Sequence, residues 1–525
     1  MGVHVWSKKL KHEGYRVLIA DEGRLAIVAY SDGTIRWYLT QTGQRLLTLF
    51  IARPKIDPLQ IGTQPIDWKW IAWTPEGFYS SSVAGEQLIG WLINDPADPM
   101  NPIYYNFGTF RGKFYRPDVI EQILNVKDTQ HAFRIANENA GLDEDEKIED
   151  MLTSLINNAP PSVDILFPLD SDILQPGLID VCFKLRSPAR TVNSPKEVNI
   201  FLNAGFVKKI TKDLELNKKL CQKINTPDSL YTEGETLTLK VSVEGTDDSL
   251  RGVQIAMRPL SYESVKLDQK PSRLLGLFVG ISDYDQIDLK LNYAENDAVD
   301  MKEFWANQQG NPYREIDIIR IPGSKATREN ILANLMQLQE RIEPDDFVIL
   351  YFAGHGATLS GNNRYLFFAR DAETSDTDKL LASAVTDLDL KEVLSKMKAR
   401  HKVVFMDTCR DLFNSANPRL QKVDSAALSI EVKDYWNAHA FFSTGEIGYA
   451  QERNGNGVYT AALLEALKGA ADLPPILDKA ISISELDHFT NQVVSQRTNG
   501  SQQPMVVTPD NLEAFKHKPP LVTLN

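Results

Sequence analysis

The chain has 525 residues, of which 42% are hydrophobic and 24% charged, and its net charge is -13. That length predicts two to four domains, and that balance excludes a disordered chain. The acidic surplus excludes steering toward nucleic-acid phosphates and weakly suits a basic peptide partner.

Residues 1–125 read as β-rich. Asp32-Gly33 is a hairpin-turn signal feeding the strand Thr34-Ile35-Arg36-Trp37-Tyr38, and Thr42-Gly43 marks the next turn. A second unit follows in WKWIAWTPEGFYSSSVAGEQLIGWLIN. These units resemble blades of WD-repeat propellers. A propeller needs four to eight blades and this stretch has room for two, so a closed propeller is excluded within the chain. The blades are expected to form a small sheet on the next domain or to pair with a partner.

Residues 126–158 read as a helical connector, with GLDEDEKIED as a solvated helix face. Residues 159–260 hold the alternating runs VDILF, LIDVCFKL, KEVNIFLN, FVKKI, TLTLKVSVE and GVQIAM. Their spacing predicts an immunoglobulin-like β-sandwich. RPLSYESVKLDQKPS reads as a linker.

Residues 272–508 alternate apolar strands with helical stretches. RLLGLFVGIS, EIDIIRI, DDFVILYFAGHG, HKVVFMDTC and AHAFFSTG read as five strands, and Thr327 as the N-cap of the helix that follows it. This alternation predicts a mostly parallel sheet with helices on both faces. Residues 509–525 read as a tail.

The three cysteines, Cys182, Cys221 and Cys409, lie far apart without a CxxC pair. Neither a disulfide framework nor a zinc cluster is expected, and Cys182 and Cys221 read as buried small hydrophobes or free thiols. So few cysteines fit a cytoplasmic location. The opening MGVHVWSKKL lacks the apolar core of a signal peptide, and Trp6 stands where myristoylation needs Ser or Thr. No apolar run reaches the length of a membrane span. A nucleotide-dependent reading fails for want of a GxxxxGK[ST] loop or a GxGxxG after a strand.

Function in open α/β sheets collects beyond the carboxyl ends of the strands. Two reactive side chains fall there, His355 after VILYFAG and Cys409 after VVFMDT. A thiolate is the nucleophile and an adjacent imidazole can take its proton, so the pair reads as a catalytic dyad. Gly354 and Gly356 allow a tight turn and close substrate approach. The backbone N–H groups of Gly356 and Cys409 are candidate oxyanion donors.

The blocks YFAGHG, MDTCRD and GNGVYTAALLEAL, in that order, resemble the caspase-like peptidases, nearest to bacterial members and metacaspases. The resemblance implies a cysteine endopeptidase acting on protein substrates. It also implies a primary pocket lined by Asp407 and by Asp297 of Asn296-Asp297-Ala298. Two carboxylates there would select Arg or Lys. The structural alternative has Asp297 capping its helix and Asp407 in a structural hydrogen bond. Arg410 and Arg453 keep cleavage after Asp open. The block departs from the metacaspase pattern at Asp411, where a glycine is usual. A catalytically inactive scaffold is therefore the competing reading.

The resemblance further raises calcium as a cofactor, for which Asp371, Glu373, Asp376 and Asp378 are the candidate ligands. It also raises processing in the long segment after the cysteine, at Arg419 or Lys422. The N-terminal β modules are the expected place for an activating or inhibitory protein partner. No nucleic-acid or membrane partner is expected.

Overall fold

The computed structural model describes residues 7, 12–52, 68–82, 85–95, 98–143, 147–188, 191–226, 237–247, 253–262, 271–310, 312–360, 363–409, 417, 419–421, 423–424, 428–429, 431–444, 452–453, 455–473, 477–509, 512 and 520–524.

The chain opens with one antiparallel meander. Its strands are β1 (Gly14–Ala20), β2 (Leu25–Tyr30), β3 (Thr34–Leu39), β4 (Arg45–Ala52), β5 (Lys69–Trp73) and β6 (Tyr79–Ser81). Gly33 (φ +81°) and Gly43 (φ +69°) supply the left-handed positions at the two turns read from the sequence. A separate hairpin follows, β7 (Gly90–Asp95) with β8 (Asp98–Asn106). The two expected blades are thus a single six-stranded sheet and a hairpin. The small sheet packs against the chain's own helices α1 (Pro117–Val126), α2 (Thr129–Ala140) and α3 (Ile148–Asn157), in a core that includes Phe78, Phe110, Phe133 and Met151.

Helices begin at Arg111, earlier than residue 126, because Pro117 starts α1 and Asp128 caps α2 through the His131 N–H. The acidic run 141–150 is mostly a turn and the first turn of α3, and residues 144–146 lie outside the described residues.

A two-sheet sandwich comes next. One sheet pairs β9 (Ser162–Phe167), β10 (Gly177–Arg186) and, later in the chain, β13 (Lys219–Thr226). The other contains β11 (Pro195–Leu202), β12 (Gly205–Ile210), β14 (Leu237–Gly245) and β15 (Gln254–Tyr262). Val181, Phe183, Ile200 and Val241 meet between them. β15 extends into the stretch read as a linker.

The cysteine expectation is overturned here. Cys182 and Cys221 are directly opposed on β10 and β13 and are joined by a disulfide. Spacing along the chain hides this, because antiparallel pairing brings together residues 39 positions apart. The bond also removes the support that a low cysteine count lent to a reducing compartment.

The C-terminal part is built on six principal strands, ordered β17-β16-β18-β20-β21-β22 across the sheet. They are β16 (Arg273–Gly280), β17 (Glu315–Ile321), β18 (Phe347–Leu359), β20 (His401–Cys409), β21 (His439–Phe442) and β22 (Met505–Val507), with β19 (Arg364–Phe367) pairing to the far end of β18. The first five run parallel and β22 antiparallel. All thirteen residues of β18 are buried, as a strand covered on both faces requires.

Helices α5 (Arg328–Arg341), α6 (Thr377–Ser383) and α7 (Asp387–Leu394) pack on one face. Helices α4 (Ala294–Ala306), α8 (Val458–Glu465) and α9 (Ile483–Arg497) pack on the other. Thr327 caps α5, accepting the Asn330 N–H. Among the described residues, no helix is long and apolar enough to cross a membrane.

The segment after Cys409 is tied to the upstream modules. Arg111 donates to Glu431 at 3.0 Å, and both side chains are buried. The Tyr115 hydroxyl donates to Asp424 at 3.0 Å. Lys240 of the sandwich donates to the Asp434 carbonyl and to Asn437. Lys402, near the start of β20, donates to the Ala204 carbonyl at 2.7 Å.

Candidate active site

Parallel pairing decides the site. β18 and β20 run in register from Phe347↔His401 to His355↔Cys409, so the histidine and the cysteine are direct cross-strand partners; Cys409 ends β20, whereas β18, expected to end at His355, continues past it to Leu359 by pairing with β19. Neighbouring strands lie about 4.8 Å apart, and residues paired in register share a face of the pleat. Asp407, two residues before Cys409, belongs to that face as well. The structure describes the main chain of Cys409. Its side chain lies outside the description, as do Arg410, Asp411, Lys422 and the Arg453 side chain.

His355 is buried and held by both its main chain and its ring. Its main-chain N–H donates to the Tyr284 hydroxyl at 2.9 Å, where β16 has ended and no longer offers a carbonyl. The Tyr284 ring lies against the imidazole with centroids 5.2 Å apart. Nε2 is 2.7 Å from the Leu289 carbonyl, which can only accept. Nε2 therefore carries the proton, and in the neutral ring the basic lone pair is on Nδ1.

Gly354 has a steric reason to lack a side chain, since a Cβ there would stand 2.7 Å from the Tyr284 hydroxyl oxygen. The His355 carbonyl accepts from Phe368 N–H on the β19 side. By strand alternation the Gly356 N–H is directed the other way, toward the end of β20.

The two aspartates converge. Asp297 lies in the first turn of α4, whose N-cap is Tyr293, so it does not cap its own helix. Its carboxylate accepts instead the N–H of Gly457, at 2.9 and 3.2 Å. Asp407 accepts from the Thr460 hydroxyl at 2.6 Å. Both carboxylates are buried and face one another across Gly457. Burial first, and then the charges of Asp297 and Asp407, hold the Tyr351 phenol well above the usual tyrosine range.

Asp376 caps α6, Glu373 pairs with Lys379, and Asp371 accepts the Arg328 N–H. Arg419 is only half-exposed, and the two residues after it pair with β18, which holds that peptide in a sheet edge. The sequence reading did not single out Tyr284, Leu289, Tyr351, Gly457 or Thr460. Leu289 acts through its main chain and leaves no residue-type signal. Gly457 and Thr460 do sit in the GNGVYT block, where a glycine directly precedes a helix.

With the strand ends in place, residues 273–516 match the family model for the caspase domain. This part of the chain is a caspase domain. Its match supports a cysteine peptidase, whose substrates are proteins. No curated protein matches the chain. Among solved structures the chain is similar to protein GSU0716 from Geobacter sulfurreducens, at 19% identity and a TM-score of 0.34, over 48% of this chain and all of that one. It is also similar to a Parabacteroides merdae β-glucuronidase, at 13% identity and a TM-score of 0.15, over 52% of this chain and 32% of that one. At those scores neither likeness bears on the reading of the caspase domain.

Proposed function

We propose that the chain is a cysteine endopeptidase in which Cys409 is the nucleophile and His355 its base, cutting after Arg or Lys. The observation that carries this reading is the His355↔Cys409 register pair. Nδ1 of His355 takes the thiol proton, and the thiolate attacks the scissile carbonyl carbon. The N–H groups of Gly356 and Cys409 receive the oxyanion. Collapse expels the amine, which takes the proton back from the imidazolium, and leaves a thioester. Water, deprotonated by His355, then hydrolyses the thioester. The convergence of Asp297 and Asp407 supports a substrate guanidinium or ammonium in the adjacent pocket.

Regulation by the upstream modules belongs to the same reading, supported by the buried Arg111–Glu431 pair that ties them to the segment after the nucleophile. The test is cleavage of fluorogenic peptides ending in Arg, Lys or Asp by the wild type and by Cys409→Ala, with a thiol probe alongside. Cleavage after Arg or Lys that the substitution abolishes is the expected result. Cleavage after Asp alone overturns the pocket assignment. A wild type that neither cleaves nor takes the probe at Cys409 supports an inactive scaffold.

A further inference from the structure

Neither pocket carboxylate is held by its own element alone. Both are held by the first turn of α8, which comes from a third part of the caspase domain. Gly457, the N-cap of α8, gives its N–H to both oxygens of Asp297. Thr460 gives its hydroxyl proton to Oδ2 of Asp407. The Tyr351 hydroxyl, from the buried middle of β18, is 2.5 Å from the same Thr460 oxygen. Because Thr460 spends its proton on the carboxylate, Tyr351 donates to Thr460. A relay thus runs from the sheet core through Thr460 to one oxygen of Asp407. Donation to the charged form favours a carboxylate that must stay ionised to hold a cation.

The second feature is a missing side chain. A Cβ on Gly457 would stand 3.0 Å from Oδ2 of Asp407 and 3.2 Å from Oδ2 of Asp297. Even a methyl group there would occupy the gap between the two carboxylates.

We propose that the first turn of α8 determines specificity at this pocket. Thr460 is the positioning residue for Asp407, and the bare Gly457 keeps the gap open for a basic substrate side chain. The inference rests on the Arg/Lys reading above. It adds that the pocket's selectivity is set from α8 as much as from the two aspartates.

The test compares Thr460→Val, Thr460→Ser and Gly457→Ala with the wild type on Arg and Lys peptides, together with the rate of Cys409 alkylation by iodoacetamide, which needs no pocket. Losing a hydrogen bond to a charged group is worth roughly 10- to 100-fold. Thr460→Val should raise KM by about tenfold or more, leave kcat within about threefold, and move the acid limb of kcat/KM to higher pH. Thr460→Ser should restore both. Gly457→Ala should lose kcat/KM on Arg and Lys peptides while alkylation stays at the wild-type rate.

Unchanged KM and pH profile in Thr460→Val would overturn the positioning role. Unchanged kcat/KM in Gly457→Ala would overturn the gap. An alkylation rate that falls in parallel with cleavage would make the turn a support of the fold, and overturn the inference too. A wild type that does not prefer basic residues is a separate result, since it removes the pocket reading itself and this inference with it.

Discussion

Two buried polar clusters in this protein both combine carboxylates with a tyrosine. One sits at the strand ends, with His355, Asp297, Asp407, Tyr351 and Thr460 around the Cys409 position. The other lies in the seam between the upstream modules and the caspase domain, with Glu86, Tyr79, Arg111 and Glu431. In the seam, the Tyr79 hydroxyl donates to Glu86 at 2.6 Å, and burial pushes the Glu86 carboxyl up to about 7 against the pull of Arg111. A shifted carboxyl alone would nominate Glu86 as catalytic. What separates the clusters is topology. The first lies where the parallel pairing of β18 with β20 ends, at His355 and Cys409. The second fills a junction between modules, where charges are matched to one another.

Breaking the seam should therefore cost stability, and breaking the strand-end cluster should cost chemistry. The largest expected effect is from Glu431→Ala, which leaves the buried Arg111 without its carboxylate. A loss of about 3–5 kcal/mol is expected in chemical denaturation. The double change Arg111→Met with Glu431→Leu should recover most of it, since no charge is then stranded. A single change as mild as the double one would show that the pair is not buried in solution.

The next effect is in pH. The Glu86 carboxyl rises from an ordinary value of 4.5 to about 7 in the fold. Between those values the folded state holds a proton that the unfolded chain has released. The contribution of Glu86 to stability is thus full below about pH 4.5 and falls as pH rises to about 7, by on the order of 3 kcal/mol. Lys402 works in the next window. Burial, reinforced by Lys240, lowers its amine from 10.5 to about 7, so stability rises again between about pH 7 and 10.5. Unfolding midpoints across pH should show the first slope flattened in Glu86→Gln and the second in Lys402→Met. Slopes that survive both substitutions would assign the pH dependence to other groups.

The smallest effect sharpens the other side of the comparison. Tyr284→Phe keeps the ring against the imidazole but removes the acceptor of the His355 N–H. An unsatisfied buried donor costs about 1–3 kcal/mol, so kcat should fall about tenfold or more. KM should hold, and the pH profile of Cys409 alkylation should shift, because the base has moved. A fall in stability with kcat unchanged would place Tyr284 in the fold rather than in the positioning of His355.

Much of the architecture was legible in the chain. Strand β16 was read from a continuous apolar run, because burial on both faces leaves no polar alternation, whereas the edge strand β17 carries Glu315, Asp317 and Arg320 and is only partly buried. His355 and Cys409 drew notice as residues expected to close apolar strands; Cys409 does end β20, but β18 runs on beyond His355 to Leu359. The boundary of the helical connector was missed because the stretch up to residue 125 read as β-rich, whereas helical turns begin at Phe107 and Arg111 on the packed core. The Cys182–Cys221 bond was missed because antiparallel register is a relation between strands and leaves no trace in either.

Taken alone, then, the sequence determined the alternation of strands and helices, the strands that carry His355 and Cys409, and the turns at Gly33 and Gly43. Each follows from side-chain periodicity or backbone conformation within a few residues. Only the tertiary structure decided that β18 and β20 are neighbours in the register that pairs His355 with Cys409. It alone brought Gly457 to Asp297 across 160 residues, turned the Leu289 carbonyl toward the imidazole and buried Arg111 against Glu431. Those contacts join segments remote in the chain, and their geometry is set by how whole layers pack, which no local pattern encodes.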